Sequence, residues 1–268
     1  MTLRIAIAQA ELSCGNINAN IAHTLSLIDF AAAQDARLIV LPELANSGYV
    51  YRDKSELANA LAGTDAIERW REKSEQTQTV VVSGFAQMEG DVAFNRSIII
   101  DRGKVLHIYT KLHLWNTEKE IFTPGNALPQ VIETSVGRIA TIICYDLEFP
   151  EIVRIPALQG VQLIAVPTNW PANFQSENMA GPFHAELIKA MAQASMNHVW
   201  IAVADRAGLE RGTDWLQSSA IINPEGWPIA KVGLGAGVVV ADIDLDAANN
   251  KSISPKNNVF GDRRADLY

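Results

Sequence analysis

Cys144 closes the most hydrophobic approach in the chain, Ile139-Ala140-Thr141-Ile142-Ile143-Cys144, and a polar group follows at once in Tyr145-Asp146-Leu147-Glu148-Phe149-Pro150-Glu151. A strand ending there delivers a thiol to a surface turn with helix amides close behind. Those amides favour a thiolate and offer donors to an oxyanion. The plainer reading is a buried structural thiol at a strand end. Glu43 has a parallel setting, because Leu38-Ile39-Val40-Leu41 is a near-continuous apolar run that Pro42-Glu43 terminates. A carboxylate beyond the carboxyl end of a strand sits where open sheets collect ligands. Partial desolvation there raises its pKa and suits a general acid or base. A loop glutamate bonded to turn amides is the alternative. Lys111 follows the strand-like Val105-Leu106-His107-Ile108-Tyr109 and precedes Leu112-His113-Leu114-Trp115, a segment unusually apolar for a loop. Held inward, its ammonium would stabilise negative charge developing on a carbonyl. Otherwise it is a snorkelling surface lysine. Glu118 and Glu120 lie just beyond, before Phe122-Thr123-Pro124-Gly125, and either would hold Lys111 or position a water.

Other chemistries find less support. The histidines are His23, His107, His113, His184 and His198, and none forms H-x-x-x-H or H-E-x-x-H, so no zinc site is implied. No dinucleotide or P-loop string appears, and no cofactor is implied. A thiol–histidine pair using His113 or His184 stays open, since such partners need only meet in space. Cys14, near a Gly-Asn turn, has no reactive setting, and neither cysteine belongs to a C-x-x-C pair. With 30 acidic against 22 basic residues the formal charge is -8, and no basic run with interleaved aromatics suggests nucleic acid. No secretory signal or membrane-length apolar run is visible, so the expected compartment is the cytoplasm.

These residues must be positioned by a chain that alternates strands with longer helical segments. Leu3 to Gln9 reads as a buried strand, Asn16 to Gln34 as a helix with Ile21, Leu25 and Ile28 on one face, and Arg37 to Leu41 as a second strand. Glu56 to Gln78 contains an amphipathic helix with Ile67 and Trp70 on one side, and strands follow at Thr79 to Phe85, at Ala93 to Asp101 and before Tyr109. The second half reads as strands at Gln130 to Thr134 and Arg138 to Ile143, a helix at Pro150 to Leu158, a strand at Leu163 to Pro167 and a helix at His184 to Met196. Strands close it at Val199 to Ala204, Ser218 to Asn223, Ile229 to Lys231 and Val238 to Ile243, before an irregular polar tail from Asn249 to Tyr268. The halves echo each other: Ser97-Ile98-Ile99-Ile100-Asp101-Arg102-Gly103 resembles Ser219-Ala220-Ile221-Ile222-Asn223-Pro224-Glu225-Gly226. Two sheets of similar topology, packed face to face with helices outside, are therefore expected. At 268 residues without a Pro/Ser/Gly-rich linker, one domain over residues 1–268 is expected.

Together the three neighbourhoods resemble the nitrilase superfamily, the carbon–nitrogen hydrolases. Leu41-Pro42-Glu43 is similar to its general-base block, Tyr109-Thr110-Lys111-Leu112-His113-Leu114 to its lysine block, and Ile143-Cys144-Tyr145-Asp146-Leu147-Glu148-Phe149-Pro150-Glu151 to its nucleophile block. Glu118, seven residues past Lys111, matches the accessory second glutamate. The resemblance implies a four-layer α-β-β-α sandwich and hydrolysis through a cysteine thioester. Cys144 is then the nucleophile and Glu43 the base, with Lys111 and the Tyr145 amide holding the oxyanion and Glu118 orienting Lys111. Cys144-Tyr145-Asp146 replaces the Cys-Trp-Glu usual in nitrilases, which favours an amidase-like branch. Carbamoylase, omega-amidase and aliphatic nitrilase activity are the alternatives. Leu147-Glu148-Phe149 lacks the arginine that carbamoylases and omega-amidases place there, so Glu148 is expected to repel an acid and tolerate a neutral or amine-bearing small amide. Asn169, Trp170, Tyr49 and His184 are expected to line the substrate pocket, with Phe174 a weaker candidate. The resemblance also implies a homodimer or higher homo-oligomer. The helices near 150–158 and 184–196 would form the contact, and the tail, anchored by Phe260 and Tyr268, would lie at the interface.

Overall fold

The computed structural model describes residues 2–174 and 182–267; the side chain of Phe174, and Tyr268, lie outside the described part. The first half comprises Thr2–Glu11 (β1), Ile17–Ala33 (α1), Leu38–Val40 (β2), Lys54–Leu61 (α2), Ala66–Thr77 (α3), Val80–Glu89 (β3), Val92–Asp101 (β4) and Lys104–Thr110 (β5). The second runs through Glu118–Ile121 (α4), Ile132–Thr134 (β6), Gly137–Thr141 (β7), a 3-10 turn at Cys144–Glu148, Pro150–Leu158 (α5), Leu163–Pro167 (β8), Ala185–Asn197 (α6) and Trp200–Ala204 (β9). Three two-residue strands follow, Arg206–Ala207 (β10), Leu209–Glu210 (β11) and Thr213–Asp214 (β12), and then Ala220–Ile222 (β13), Pro228–Lys231 (β14) and Gly237–Asp244 (β15). The tail carries Ser252–Ser254 (β16) and Asn257–Asn258 (β17).

The sheets follow one plan twice. β1, β2 and β3 are parallel, in register Ile5↔Leu38 and Leu38↔Val80, and β4 and β5 continue antiparallel. β7, β8 and β9 are likewise parallel, Ile139↔Leu163 and Leu163↔Trp200, with β13 and β14 antiparallel beyond them. The first parallel strand of each set carries an antiparallel neighbour on its other side. That neighbour is β6 for β7 and β15 for β1. The chain's last long strand thus completes the sheet that its first strand began.

Alternation along the strands builds the layers, because successive side chains leave a strand on opposite faces. Ile5, Ile7, Leu38, Val40, Val80 and Val82 point inward and meet Ile139, Leu163, Ala165, Ala202 and Ile221 of the other sheet. Their neighbours Ala6, Ala8, Ile39 and Val81 point outward under Ile21, Ile28 and Trp70 of α1 and α3. On the far side Ala140, Ile164, Val166, Ile201 and Val203 lie under Ile152 and Val153 of α5 and Leu187, Ala190 and Ala194 of α6. Strands buried on both faces read as continuous apolar runs, which is why these segments stand out in the sequence. The result is an α-β-β-α sandwich.

Three local readings change. The helical stretch before β3 is two helices, broken at Ala62-Gly63-Thr64-Asp65; Trp70 is buried there and donates from Nε1 to Thr24 Oγ1 at 2.9 Å. β10 to β12 are too short to carry a pattern. The tail is not wholly irregular: β16 and β17 pair as a hairpin, and Phe260 packs on the chain's own core beneath Arg154, 5.2 Å from its ring. Lys251 donates to the carbonyls of Asn197 (3.0 Å) and His198 (2.7 Å), placing a cation at the C-terminal end of α6. Among the described residues no helix is long and apolar enough to cross a membrane.

Candidate active site

All the reactive-type residues but Glu118, which opens α4, leave the carboxyl ends of strands. Glu43 follows β2, Lys111 follows β5, Cys144 follows β7, and Thr168, Asn169 and Trp170 follow β8. Because the two sheets pack face to face, these four ends converge. Glu43, Lys111 and Asn169 are fully buried, and Glu118 and Cys144 nearly so.

At the centre lies one ammonium between two carboxylates. Lys111 Nζ donates to Glu43 Oε1 at 2.7 Å and to Glu118 Oε1 at 2.8 Å. Asn95, on β4, donates to the same Glu43 oxygen at 2.7 Å. The other oxygen, Oε2, is buried with no hydrogen-bond partner among the described residues. Burial pushes Glu43 up to about 7, against the pull of Lys111 and Asn95. Burial also opposes the charge on Lys111, but the Glu118 and Glu43 carboxylates outweigh it and hold the ammonium above the ordinary lysine value. Glu118 is fixed from both sides: Tyr49 donates its phenol to Oε1 at 2.6 Å, and the Trp115 amide donates to Oε2 at 3.2 Å. Glu120, the other candidate, is exposed.

Cys144 opens the 3-10 turn with a left-handed φ of 48°. An L-residue held there costs roughly 1–2 kcal/mol, and such strain gathers at functional turns. Burial, then the Glu43 carboxylate, raises the thiol well above its ordinary pKa, while Lys111 and the Thr168 hydroxyl pull the other way. The thiol is therefore protonated at rest and needs a base when it attacks. Its Sγ lies 3.8 Å from the Asn169 carbonyl, and Asn169 Nδ2 donates to the Glu43 carbonyl at 2.9 Å. Asn169 thus ties the base turn to the thiol turn. It does not line the cavity, a correction to its reading as a substrate wall.

Two anchors escaped the reading of the sequence. Asp146, fully buried, accepts from Tyr109 Oη (2.9 Å) and the Ile143 amide (3.1 Å) on Oδ2, and from the His113 amide (3.0 Å) on Oδ1. His113 Nδ1 lies 2.8 Å from Oδ1, and its ring stacks on Phe149 at 3.7 Å. Asp146 so clamps the thiol turn to the lysine segment, and His113 is engaged in that clamp. Gly84 on β3 is the second anchor. A Cβ there would stand 2.4 Å from Glu43 Cα and 2.9 Å from the Pro42 carbonyl. The only available signal was a glycine inside a strand pattern, which marks close backbone approach.

Cys144 opens on a cavity of about 300 Å³ lined by Trp115, Tyr145, Glu148, Trp170, Pro171, Glu186 and Lys189. Tyr145 and Trp115 meet edge to face at 4.9 Å, and Tyr145 and Phe149 at 5.3 Å. Of the residues expected to meet substrate, Tyr145, Glu148 and Trp170 line this cavity. Tyr49 stands behind Glu118, edge-on to Trp215 at 5.5 Å, and lines a neighbouring smaller cavity instead. His184 precedes α6 and is not among the lining residues; Glu186 and Lys189, further along, occupy that side. Among the described residues no group of three or more His, Cys, Asp or Glu is placed to hold a metal ion.

The sequence profile of the carbon-nitrogen hydrolase family matches residues 4–250. A nitrilase of Pyrococcus abyssi is 30% identical over 270 residues, covering 99% of both chains. An omega-amidase of Bos taurus is 29% identical over 280 residues, covering 100% of this chain and 97% of the relative. Among solved structures, a glutamate-to-glutamine mutant of the amidase from Nesterenkonia sp. AN1 superposes with a TM-score of 0.80 at 27% identity, over 99% of this chain and 95% of that one. That structure shows covalent addition of the acetamide moiety of fluoroacetamide at the active-site cysteine. The chain therefore belongs to the carbon–nitrogen hydrolase family, the nitrilase superfamily.

Proposed function

We propose that this protein is a thiol amidohydrolase that releases ammonia from a small carboxamide through a thioester on Cys144, in one catalytic domain that needs no cofactor. The observation that carries the reading is the buried Glu43–Lys111–Glu118 cluster beside the Cys144 thiol, which opens on a small aromatic cavity. Glu43 takes the proton of Cys144 as sulfur attacks the amide carbonyl. Lys111 and the Tyr145 amide hold the tetrahedral oxyanion. Protonated Glu43 then gives its proton to the leaving nitrogen, and ammonia departs. Glu43 next takes a proton from water as it attacks the thioester; the acid leaves and sulfur regains its proton. Glu118 keeps Lys111 charged and aimed. Covalent catalysis replaces one difficult hydrolysis by two easier ones.

The test is an ammonia-release screen over neutral amides, amino acid amides, monoamides of diacids, carbamoyl compounds and nitriles. Turnover of amides, with nitriles and carbamoyl compounds inert, and a thioester trapped on Cys144 by intact-mass spectrometry are expected. Cys144→Ala is expected to lose turnover while staying folded; multiple turnover by that variant would reject covalent catalysis.

The same reading includes a homodimer built on α5 and α6. Ala185, Ile188, Ala192 and Met196 form an exposed apolar stripe along α6, with Ile188 51% and Met196 49% accessible. Exposed apolar stripes of this kind mark association surfaces.

A further inference from the structure

A second buried ion pair lies outside the Glu43–Lys111–Glu118 cluster. Arg206 is fully buried and Glu210 nearly so, and Arg206 Nη2 donates to Glu210 Oε1 at 3.1 Å. The pair stands where the chain leaves β9 of one sheet and joins β1 of the other through β10. Arg206 also donates to the Leu12 carbonyl and lies over the Trp215 ring at 4.4 Å, so its own place is set by three partners. Glu210 Oε2 accepts the backbone amides of Tyr49 (2.9 Å) and Val50 (2.8 Å). Gly48, with a φ of +74°, lets that loop come close, since a Cβ there would stand 2.5 Å from Glu210 Oε1. Tyr49 in turn donates its phenol to Glu118 Oε1, the oxygen that also takes Lys111. Burial and the Glu118 carboxylate hold that phenol well above its ordinary pKa, so it stays a donor. A continuous line of contacts thus runs from Arg206 to the Lys111 ammonium.

We propose that the Arg206–Glu210 pair is a positioning device for the reaction: it fixes the backbone at Tyr49, so that the phenol holds Glu118 and, through it, Lys111 in the geometry that receives the oxyanion. The proposal rests on the amide-hydrolase reading and adds two residues, neither of which lines the cavity. Stability alone is a weak reason for such a pair, because desolvation offsets most of the attraction between buried charges. Charge-assisted bonds to two successive amides, by contrast, fix a loop firmly.

The experiment is a double-mutant cycle on kcat and KM with a primary amide that the enzyme turns over, using Glu210→Gln, Tyr49→Phe and the two together. Glu210→Gln preserves shape but must set its NH2 against either the Tyr49 and Val50 N–H groups or the guanidinium. Each single variant is expected to lower kcat by roughly tenfold with little change in KM, because a misplaced charge-stabilising group costs rate rather than binding. The double variant is expected to fall no further than Tyr49→Phe alone, since the pair acts through that phenol. A merely structural pair would instead multiply the two losses. Multiplied losses, or an unchanged kcat in either single variant, overturn the proposal. Should Glu210→Gln fail to fold, Arg206→Lys, which keeps the charge but not the planar fork, takes its place in the cycle with the same expectation. Should no amide turn over, the amide-hydrolase reading fails separately. The cycle is then read on the rate at which iodoacetamide alkylates Cys144, followed by peptide mass spectrometry. An effect of Glu210→Gln that vanishes in the Tyr49→Phe background supports the proposal; one that persists there, or no effect at all, overturns it.

Discussion

A carboxylate that takes a proton from a thiol and returns it to an amine leaving group works best with a pKa near the working pH. Glu43 meets that demand by burial, which places it at about 7 despite the adjacent ammonium. A base with a raised pKa is lost as pH falls through that value. The kcat/KM profile should therefore show an acid limb near neutrality, with activity rising as Glu43 ionises. Asn95 donates to the ionised form and so favours it. Asn95→Ala should shift the acid limb to higher pH and weaken the enzyme most on the acid side. A profile that keeps its shape while falling uniformly would show that Asn95 only packs. Thr168 acts in the same sense on the thiol, easing its ionisation.

At the scale of elements, the site is a meeting of strand ends held by backbone fit. β2 supplies Glu43 only because β3 passes close behind it, and Gly84 is the point of closest approach. Gly84→Ala would place a methyl inside van der Waals contact with Glu43 Cα, a backbone atom that cannot swing aside. A loss of about 3 kcal/mol, at the top of the range for overpacking, is expected in chemical denaturation, with kcat falling further than stability alone explains. Gly125 makes the matching fit on the lysine side, where a Cβ would lie 2.4 Å from the Thr110 carbonyl. The glycine of the Phe122-Thr123-Pro124-Gly125 string thus earns its place by sitting against the strand end that presents Lys111.

At the scale of the molecule, helices α5 and α6 cover the sheet that bears Cys144, and they leave the α6 stripe facing outward. Ile188 neighbours Lys189, so an assembly built on this face would brace the helix that borders the cavity. Ile188→Glu should convert a dimer to a monomer in sedimentation velocity. A native protein that sediments as a monomer throughout the micromolar range would dismiss the dimer. The tail folds back on the same two helices through Phe260 and Lys251, within one chain.

The sequence alone determined the alternation of elements and the fold class, because strands buried on both faces must be nearly all apolar and amphipathic helices must repeat at their own period. It also singled out Cys144, Glu43 and Lys111 as ionisable groups at the ends of apolar runs, while their roles, and that of Glu118, came from the family resemblance. What it left open was which side chains face one another across distant segments. Asp146 and Asn169 became clamps, Tyr49 turned from cavity wall to partner of Glu118, Lys189 met Glu148, and β15 returned to β1. Each of those depends on contacts between residues far apart in the chain. Only the assembled tertiary structure fixes them, since no local pattern encodes where a side chain 41 or 126 positions away will lie.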